Sequence, residues 1–155
     1  MKLKTSHERG FTLLEIMIVV VIIGVIAALA VPALMNARKK TQNARFVNDI
    51  RQFRSAIESY LFSEGALPVA SNVGELPTGM EKYISPYDFQ AGTTLGGSWN
   101  AEINSSGVVC AVGVEGVIAD DEQLLRIDQK IDDGNLSTGQ LRKLSATQFY
   151  WVIQD

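Results

Sequence analysis

Glu15 is the single carboxylate at the start of a long apolar segment, and its position limits the chemistry that it can perform. Residues 16–35, which follow it, contain no charged side chain. A charge at the centre of a bilayer costs about 2.5–3.5 kcal/mol on insertion scales, and less near the interface. A dry, unpaired charge is strongly disfavoured. Near the interface Glu15 is tolerated in a lone chain, whereas in a bundle of packed helices it would need a cation at the same depth. The alternative is that Glu15 extends to the lipid headgroups.

Residues that commonly perform catalysis are otherwise scarce. The chain has one histidine, His7, and one cysteine, Cys110, and a single cysteine excludes an intramolecular disulfide. We interpret Cys110, which lies among β-branched residues, as a buried and inert thiol. No phosphate-binding glycine loop or nucleophile motif occurs. The sequence predicts no catalytic residue and disfavours an enzyme, although it leaves open a hydrolase with paired carboxylates.

The apolar segment 16–35 is long enough to cross a membrane as a helix. About 20 residues span the hydrocarbon core, and lipid favours helix because unsatisfied backbone groups are costly there. Pro32 removes one backbone donor, so we expect a kink or local melting near Ala28. Composition alone also fits a cleaved secretory signal behind a basic leader, or an uncleaved single-pass anchor.

The motif Gly10-Phe11-Thr12-Leu13-Leu14-Glu15 favours a different interpretation. G-F-T-L-x-E, after a short basic leader and before a long apolar run, resembles the class III leader of type IV pilins and type II secretion pseudopilins. The resemblance is close up to Pro68. It implies that a prepilin peptidase cuts after Gly10, that Phe11 becomes an N-methylated N-terminus and that Glu15 serves filament assembly. Pro32 lies where these proteins usually carry a helix-distorting proline.

Cleavage after Gly10 would supply the cation that Glu15 requires. The new amine of Phe11 lies close to the depth of Glu15. The amine of a neighbouring subunit can neutralise the carboxylate if the two helices are offset by about one turn. Such a pair acts mainly to fix the register between subunits, a role that buried polar groups are known to play.

An amphipathic pattern continues the helix beyond the apolar segment. Apolar side chains recur at spacings of four and three, which predicts one buried helical stripe. The stripe comprises Phe46, Ile50, Phe53, Ile57 and Tyr60, widened by Val47 and Leu61. We predict one helix from Phe11 to Glu64, ended by Gly65. Its residues 11–35 lie in lipid, and residues 36–64 pack on the protein's own sheet rather than in a coiled coil, for which the repeat is short.

Charge is distributed unevenly along the chain. Residues 36–54 contain six cations and one anion, whereas residues 55–155 contain five cations and fourteen anions. The basic collar, Arg38, Lys39 and Lys40, follows the apolar segment. It either contacts lipid headgroups or, in a filament, lies beside the acidic head of another subunit. A nucleic-acid-binding protein requires an exposed basic surface, so the acidic remainder disfavours nucleic acid as a partner.

Residues 65–155 are predicted to form a small globular head. Residues 67–90 contain several prolines and indicate a connecting loop with at most short helical turns. Strands are predicted over residues 98–103, 108–114 and 149–153, the first two as a hairpin. Asp120 caps a predicted helix that contains Leu124 and Ile131. The expected fold is α+β, with a long N-terminal helix, half of it transmembrane, packed on a three- or four-stranded antiparallel sheet, as in pilins.

Four residues near the C-terminal end of the predicted head helix carry oxygen ligands of the kind that calcium prefers. They are Asp128, Asp132, Asp133 and Asn135. The resemblance implies calcium as an alternative to the disulfide of many type IV pilins, because some major pseudopilins bind it near the C-terminus. The spacing is not that of an EF-hand, and residues 132–135 also suit an ordinary turn. We predict no cofactor and no metal, with calcium as the alternative.

The sequence and the resemblance together predict a structural filament subunit. The leader, residues 1–10, is removed, and the chain stays in the inner membrane by one span with its head in the periplasm until it polymerises into a pilus or a secretion pseudopilus. The expected partners are further copies, related pilins or pseudopilins, the prepilin peptidase, the inner-membrane assembly platform and membrane lipid, without nucleic acid. The alternative is a membrane-anchored periplasmic binding module that does not form filaments.

Overall fold

The structure is a computed structural model, and it describes residues 10–155. Residues 1–9 of the predicted leader, including His7, lie outside the described residues. The helices are α1 (Leu13–Glu64), α2 (Pro86–Gln90) and α3 (Asp121–Ile131), and a 3-10 turn covers Met80–Lys82. The strands are β1 (Ser98–Ser105), β2 (Val108–Glu115), β3 (Leu141–Ser145) and β4 (Gln148–Gln154). The chain divides into an N-terminal unit that ends at Arg38 and a C-terminal unit, Lys39–Asp155.

Helix α1 confirms the predicted long helix, although it begins at Leu13 rather than at Phe11. It continues through Ala28 and Pro32 without interruption. Of the two expected effects of Pro32, local melting is therefore not observed, and the kink stays a prediction. Within residues 10–155, α1 is the one helix long and apolar enough to cross a membrane, judged by length and composition.

The sheet of the C-terminal unit has the strand order β1-β2-β4-β3, and every neighbouring pair is antiparallel. The predicted hairpin is confirmed as β1 and β2, and the predicted last strand is confirmed as β4. Strand β3 is absent from the sequence prediction. Its sequence, Leu-Arg-Lys-Leu-Ser, lacks the apolar–polar alternation typical of a strand. The structure agrees with this, since Leu141 is fully buried and the next three side chains are half-buried.

The hydrophobic core lies between one face of the sheet, the distal half of α1 and helix α3. The predicted stripe on α1 is confirmed, since its side chains from Phe46 to Ile57 are buried and Tyr60 is half-buried. The Phe46 ring stacks on Trp99 at 5.4 Å and on Phe149 at 5.8 Å between ring centroids. Burying each large apolar side chain contributes about 1.5–3 kcal/mol, so this stripe holds the distal part of α1 on the sheet.

Helix α3 begins where the sequence predicts, because Asp120 caps it. The Asp120 carboxylate accepts a hydrogen bond of 2.8 Å from the backbone N–H of Gln123. Leu124 and Ile127 are buried in the core. The helix ends at Ile131, and the acidic residues Asp132 and Asp133 follow it directly.

Candidate functional site

Thr12 and Glu15 form a hydrogen-bonded capping box at the beginning of α1. The Thr12 backbone N–H and the Thr12 hydroxyl both donate to Oε2 of Glu15, each at 2.8 Å. The Glu15 backbone N–H donates to Oγ1 of Thr12 at 3.2 Å. This reciprocal arrangement satisfies backbone donors that a helix N-terminus otherwise leaves unpaired. It also explains why α1 begins at Leu13, because Thr12 takes the N-cap position.

The capping box uses one carboxylate oxygen of Glu15 and leaves the other available to accept a hydrogen bond. Within residues 10–155, every side-chain hydrogen bond of Glu15 goes to Oε2. Oε1 keeps its capacity to accept hydrogen bonds, so a donor from outside the chain can bind Glu15 while the cap stays intact. Glu15 is among the residues predicted from the sequence, and Thr12 is not. The spacing of a threonine three residues before a glutamate, ahead of an apolar run, is the signal that would have revealed it.

Gly10 and Phe11 precede the helix and are both exposed, with Phe11 83% accessible. The peptide bond between them therefore lies in non-helical, accessible backbone, which suits a protease substrate. From Leu13 to Met35 the apolar side chains of α1 have no protein partner that covers them. A surface of this kind and length requires lipid or other helices around it.

Lys39 of the predicted basic collar forms an ion pair within its own chain. Its Nζ lies 2.7 Å from Oδ2 of Asp120, the residue that caps α3. The hydrogen bond from Lys39, followed by that from the Gln123 N–H, lowers the pKa of Asp120 below its ordinary value of 3.8. One turn further along α1, Gln123 Nε2 donates to Oδ1 of Asn43 at 2.7 Å. These contacts join the beginning of α3 to the membrane-proximal end of the C-terminal unit's helix.

The other two cations of the collar stay available for partners. Arg38 and Lys40 are exposed and form no ion pair within the described residues. The collar is therefore split, with Lys39 engaged in the fold and its two neighbours free to meet lipid headgroups or another copy. The sequence could not show this division, because it depends on which turn of α1 faces Asp120.

Asp128, Asp132 and Asp133 form an acidic cluster between the end of α3 and the beginning of β3. One carboxylate oxygen of each lies within 4.8 Å of the others. Asp132 accepts hydrogen bonds from the backbone N–H groups of Gln140 and Leu141, at 2.6 and 2.7 Å. Asp132 therefore links the end of α3 to the beginning of β3.

Asp128 is the unusual member of the acidic cluster, because it is fully buried and neither of its carboxylate oxygens has a hydrogen-bond partner of good geometry within residues 10–155. Burial raises its pKa, and the charges of Asp132 and Asp133 raise it further. The neighbouring N–H groups of Asn135 and Gly134 offset this only partly. A buried charge without a partner is costly, and either protonation of Asp128 or a bound cation would remove that cost.

The geometry of the acidic cluster is compatible with calcium. Two oxygens that share one Ca²⁺ at about 2.4 Å each can lie up to about 4.8 Å apart, which is the limit within which these oxygens lie. Gly139 helps to create the arrangement. Its φ is +74°, and a Cβ at this position would lie 2.2 Å from Oδ2 of Asp132. Glycine is therefore required for Asp132 to reach the cluster.

Cys110, the one cysteine of the chain, is not available as a nucleophile. Cys110 is fully buried, as predicted, and burial raises its pKa to about 11. The thiol is therefore protonated at neutral pH and inaccessible, which confirms its interpretation as an inert core residue. The chain's one histidine, His7, precedes the described region.

Comparison with known proteins agrees with the motif at the N-terminus. Residues 5–31 match the family described as the prokaryotic N-terminal methylation motif. The chain is 43% identical over 67 residues to type II secretion system core protein G of Escherichia coli, covering 43% of this chain and 46% of that protein. It is 42% identical over 66 residues to the type IV major alpha-pilin of Moraxella bovis, covering 43% and 41%.

A longer match extends into the rest of the chain. Fimbrial protein Q of Moraxella bovis is 35% identical over 101 residues, which cover 65% of this chain and 58% of that protein. The matches to the core G proteins cover less than half of those relatives. No solved structure matches the chain significantly. The chain thus carries the prokaryotic N-terminal methylation motif and is related in sequence to type II secretion pseudopilins and type IV pilins.

Proposed function

We propose that this chain is a structural subunit of a pilus-like or secretion pseudopilus filament, and that it has no catalytic role. The observation that carries the proposal is the combination of three features. They are the methylation motif at residues 5–31, the uncovered apolar surface of α1 and the available Oε1 of Glu15 at the N-terminal end of that helix. Relatives named as a secretion core protein and as pilins support it. The work of such a subunit is mechanical and is powered by other proteins.

Assembly on this proposal depends on Glu15 and on the terminal amine of Phe11. Proteolysis after Gly10 releases the amine, and Oε1 of Glu15 in the neighbouring subunit accepts it while Oε2 stays in the capping box. Because a carboxylate left dry and unpaired among packed helices is costly, subunits assemble in the register that brings the two charges together. The apolar surface of α1 moves from lipid to helix contacts without exposure to water.

The partners and location follow from the same steps. A prepilin peptidase removes residues 1–10 at the cytoplasmic face, and α1 anchors the chain in the inner membrane with the head in the periplasm. An inner-membrane assembly platform then adds subunits to the filament, beside further copies and related pilins or pseudopilins. Membrane lipid covers residues 11–35 before assembly.

Intact-mass analysis of the chain extracted from membranes tests the proposed processing. We expect a mass that corresponds to loss of residues 1–10 and the addition of one methyl group. A cut near Ala30 would indicate a secretory signal instead, and an uncut chain would indicate a simple anchor. Electron microscopy of cells with and without the gene then distinguishes a filament subunit from a membrane-anchored binding module.

Substitution of Glu15 tests the proposed charge pairing. We expect Glu15→Ala and Glu15→Gln to insert in the membrane normally and to lose filaments almost completely. The matched control is Glu64→Gln, which removes an exposed carboxylate at the other end of the same helix. Abundant normal filaments from Glu15→Gln would refute the pairing.

We further propose that the acidic cluster binds calcium and thereby stabilises the C-terminal unit. The support is the buried, unpartnered carboxylate of Asp128 beside Asp132 and Asp133. A bound ion supplies the positive charge that this interior lacks and ties the end of α3 to the beginning of β3. Ligand oxygens from the three carboxylates suit a hard cation of this size.

Thermal unfolding with calcium or with a chelator tests the acidic cluster. A ligand at 100 times its Kd stabilises a protein by about 2.7 kcal/mol, so saturating calcium should raise the Tm clearly. Asp128→Asn should abolish the rise, whereas Glu122→Gln, an exposed carboxylate on the same helix, should keep it. An equal response to calcium in both variants would exclude the site.

A further inference from the structure

A polar cavity of about 400 Å³ lies in the C-terminal unit between α1 and the connection from α2 to β1. Arg45, Asp49 and Phe53 line it from α1, Asp88 lines it from α2, and Trp99 of β1 forms part of its wall. The segment 91–94 completes the lining with uncharged residues. Phe53 and Trp99 stack edge to face at 4.6 Å between centroids and are almost fully buried, so the groups that the cavity exposes are chiefly polar.

The two carboxylates of this cavity have no ion-pair or hydrogen-bond partner within residues 10–155. The Asp49 side chain is half-buried. Burial raises its pKa, the Arg45 charge lowers it and the Asp88 charge raises it. Arg45 is the one cation among the lining residues. Two carboxylates and one guanidinium leave an excess of one negative charge, which favours a cationic occupant.

We propose that this cavity binds a basic side chain of a second copy of the chain. The stem of a lysine or arginine lies along the uncharged segment 91–94, while its charged end lies between Asp49 and Asp88. This inference rests on the proposed function, because it places the contact between neighbouring subunits of a filament.

The chain itself carries suitable donors. Besides Arg45, which lines the cavity itself, five exposed cations form no ion pair within the described region, namely Arg38, Lys40, Arg51, Lys82 and Lys130. Every copy therefore presents both the cavity and the groups that can fill it. A contact between two different surfaces of identical subunits generates an open helical polymer when its rotation does not close into a ring, which is the symmetry that a filament needs.

The proposal makes stability and assembly respond in opposite directions. In the monomer the ionised form of Asp49 is desolvated without a partner, so Asp49→Asn should leave the Tm unchanged or raise it. In the filament the same variant loses the charge that holds the neighbour, so assembly should fall. A residue with a merely structural role would lower both quantities together.

A titration with n-butylammonium tests the cavity apart from filament formation. The full chain in detergent micelles is titrated while the amide resonances of residues 91–94 are followed by NMR. We expect saturable shifts with n-butylammonium, none with n-butanol, and at least a tenfold weaker response in Asp49→Asn/Asp88→Asn. Glu81→Gln, an exposed carboxylate outside the cavity, is the matched control. Absence of saturable shifts in the unsubstituted chain would overturn the proposal.

Disulfide trapping in filaments identifies the donor. Ala91→Cys, at the exposed edge of the cavity, is combined in turn with cysteine beside each of the five cations, so that both charges of the proposed contact are kept. Cys110 does not interfere because it is fully buried. We expect one combination to give cross-linked dimers in filaments and none in dispersed micelles. No cross-link from any combination in well-formed filaments would exclude a second copy as occupant. Absence of filaments from the unsubstituted chain would overturn the proposed function and this occupant together. The titration in micelles would still measure whether the cavity prefers cations.

Discussion

At the scale of single residues, Thr12 and Glu15 must satisfy two requirements with the same few atoms. The Glu15 carboxylate completes the cap of α1 through Oε2, and the proposed assembly contact needs an acceptor that the cap does not consume. A glutamate meets both requirements because its two oxygens act separately. A glutamine offers one carbonyl oxygen and no charge, so it can keep the cap or accept a neutral hydrogen bond but cannot balance an amine.

Substitution of Thr12 separates the cap from the charge. Thr12→Val removes the hydroxyl that links to Glu15, whereas Thr12→Ser keeps it as a matched control. Loss of an N-cap side chain costs about 0.5–2 kcal/mol, so amides 13–16 should exchange with solvent roughly two- to thirtyfold faster in Thr12→Val. Hydrogen exchange of the chain in micelles measures this. Equal exchange rates in the two variants would show that the capping box contributes nothing.

Gly113 is a residue whose role only the packed sheet reveals. A Cβ at this position would lie 2.2 Å from the Phe149 carbonyl oxygen and 2.5 Å from Cα of Tyr150. Overpacking of this kind typically costs about 1–3 kcal/mol, so Gly113→Ala should lower the Tm by several degrees in thermal unfolding. The control is Gly107→Asn, at a turn with φ of +80° and no atom within 4 Å of the added Cβ. It should change the Tm much less.

At the scale of elements, the ion pair between Lys39 and Asp120 ties α1 to the beginning of α3. Because Lys39 lowers the pKa of Asp120 below 3.8, the contact stabilises the folded chain at neutral pH and loses its effect as the pH falls below that value. Lys39→Met should therefore lower the Tm at pH 7 by at most a few degrees, since both side chains are partly exposed. In melting curves recorded at decreasing pH, the difference from the unsubstituted chain should shrink below pH 3.8 and disappear once the pH has passed the lowered pKa of Asp120.

Two variants of Asp120 distinguish the ion pair from the helix cap. Asp120→Asn keeps an acceptor for the Gln123 N–H and loses the charge, because asparagine is as good an N-cap as aspartate. Asp120→Ala loses both contacts. The expected order of Tm at pH 7 is the unsubstituted chain, then Asn, then Ala. If Asn and Ala were equally destabilising, the cap would be irrelevant and the ion pair would account for the whole effect.

The elements that the sequence predicts are those whose signal is local. The stripe on α1, the hairpin of β1 and β2 and the cap at Asp120 each depend on spacing within a few residues, and each is confirmed. Strand β3 and the burial of Asp128 depend on what packs against them from distant parts of the chain, so the same local patterns could not show them. The cavity beside Asp49 is likewise created by a tertiary contact.

At the scale of the whole molecule, the separation of charge along the chain connects the fold to assembly. The structure places one collar residue, Lys39, in an internal ion pair and leaves Arg38 and Lys40 exposed. The acidic head is therefore only partly neutralised by its own chain. Two copies that approach with the basic collar of one beside the acidic head of the other would attract each other over several ångströms. This attraction would help to select the relative position of the subunits before close packing begins.

Salt should weaken filaments if this attraction contributes to them. The Debye length falls from about 10 Å at 0.1 M to about 3 Å at 1 M ionic strength, so contacts between exposed charges are screened, whereas the proposed dry pair at Glu15 would be affected little. We expect Arg38→Gln/Lys40→Gln to give fewer filaments at low salt and a flatter salt dependence in sedimentation assays. Lys39→Met, whose partner lies in the same chain, should keep the steep dependence. Filaments of the unsubstituted chain that are indifferent to salt would show that packing and the N-terminal pair hold them without the collar.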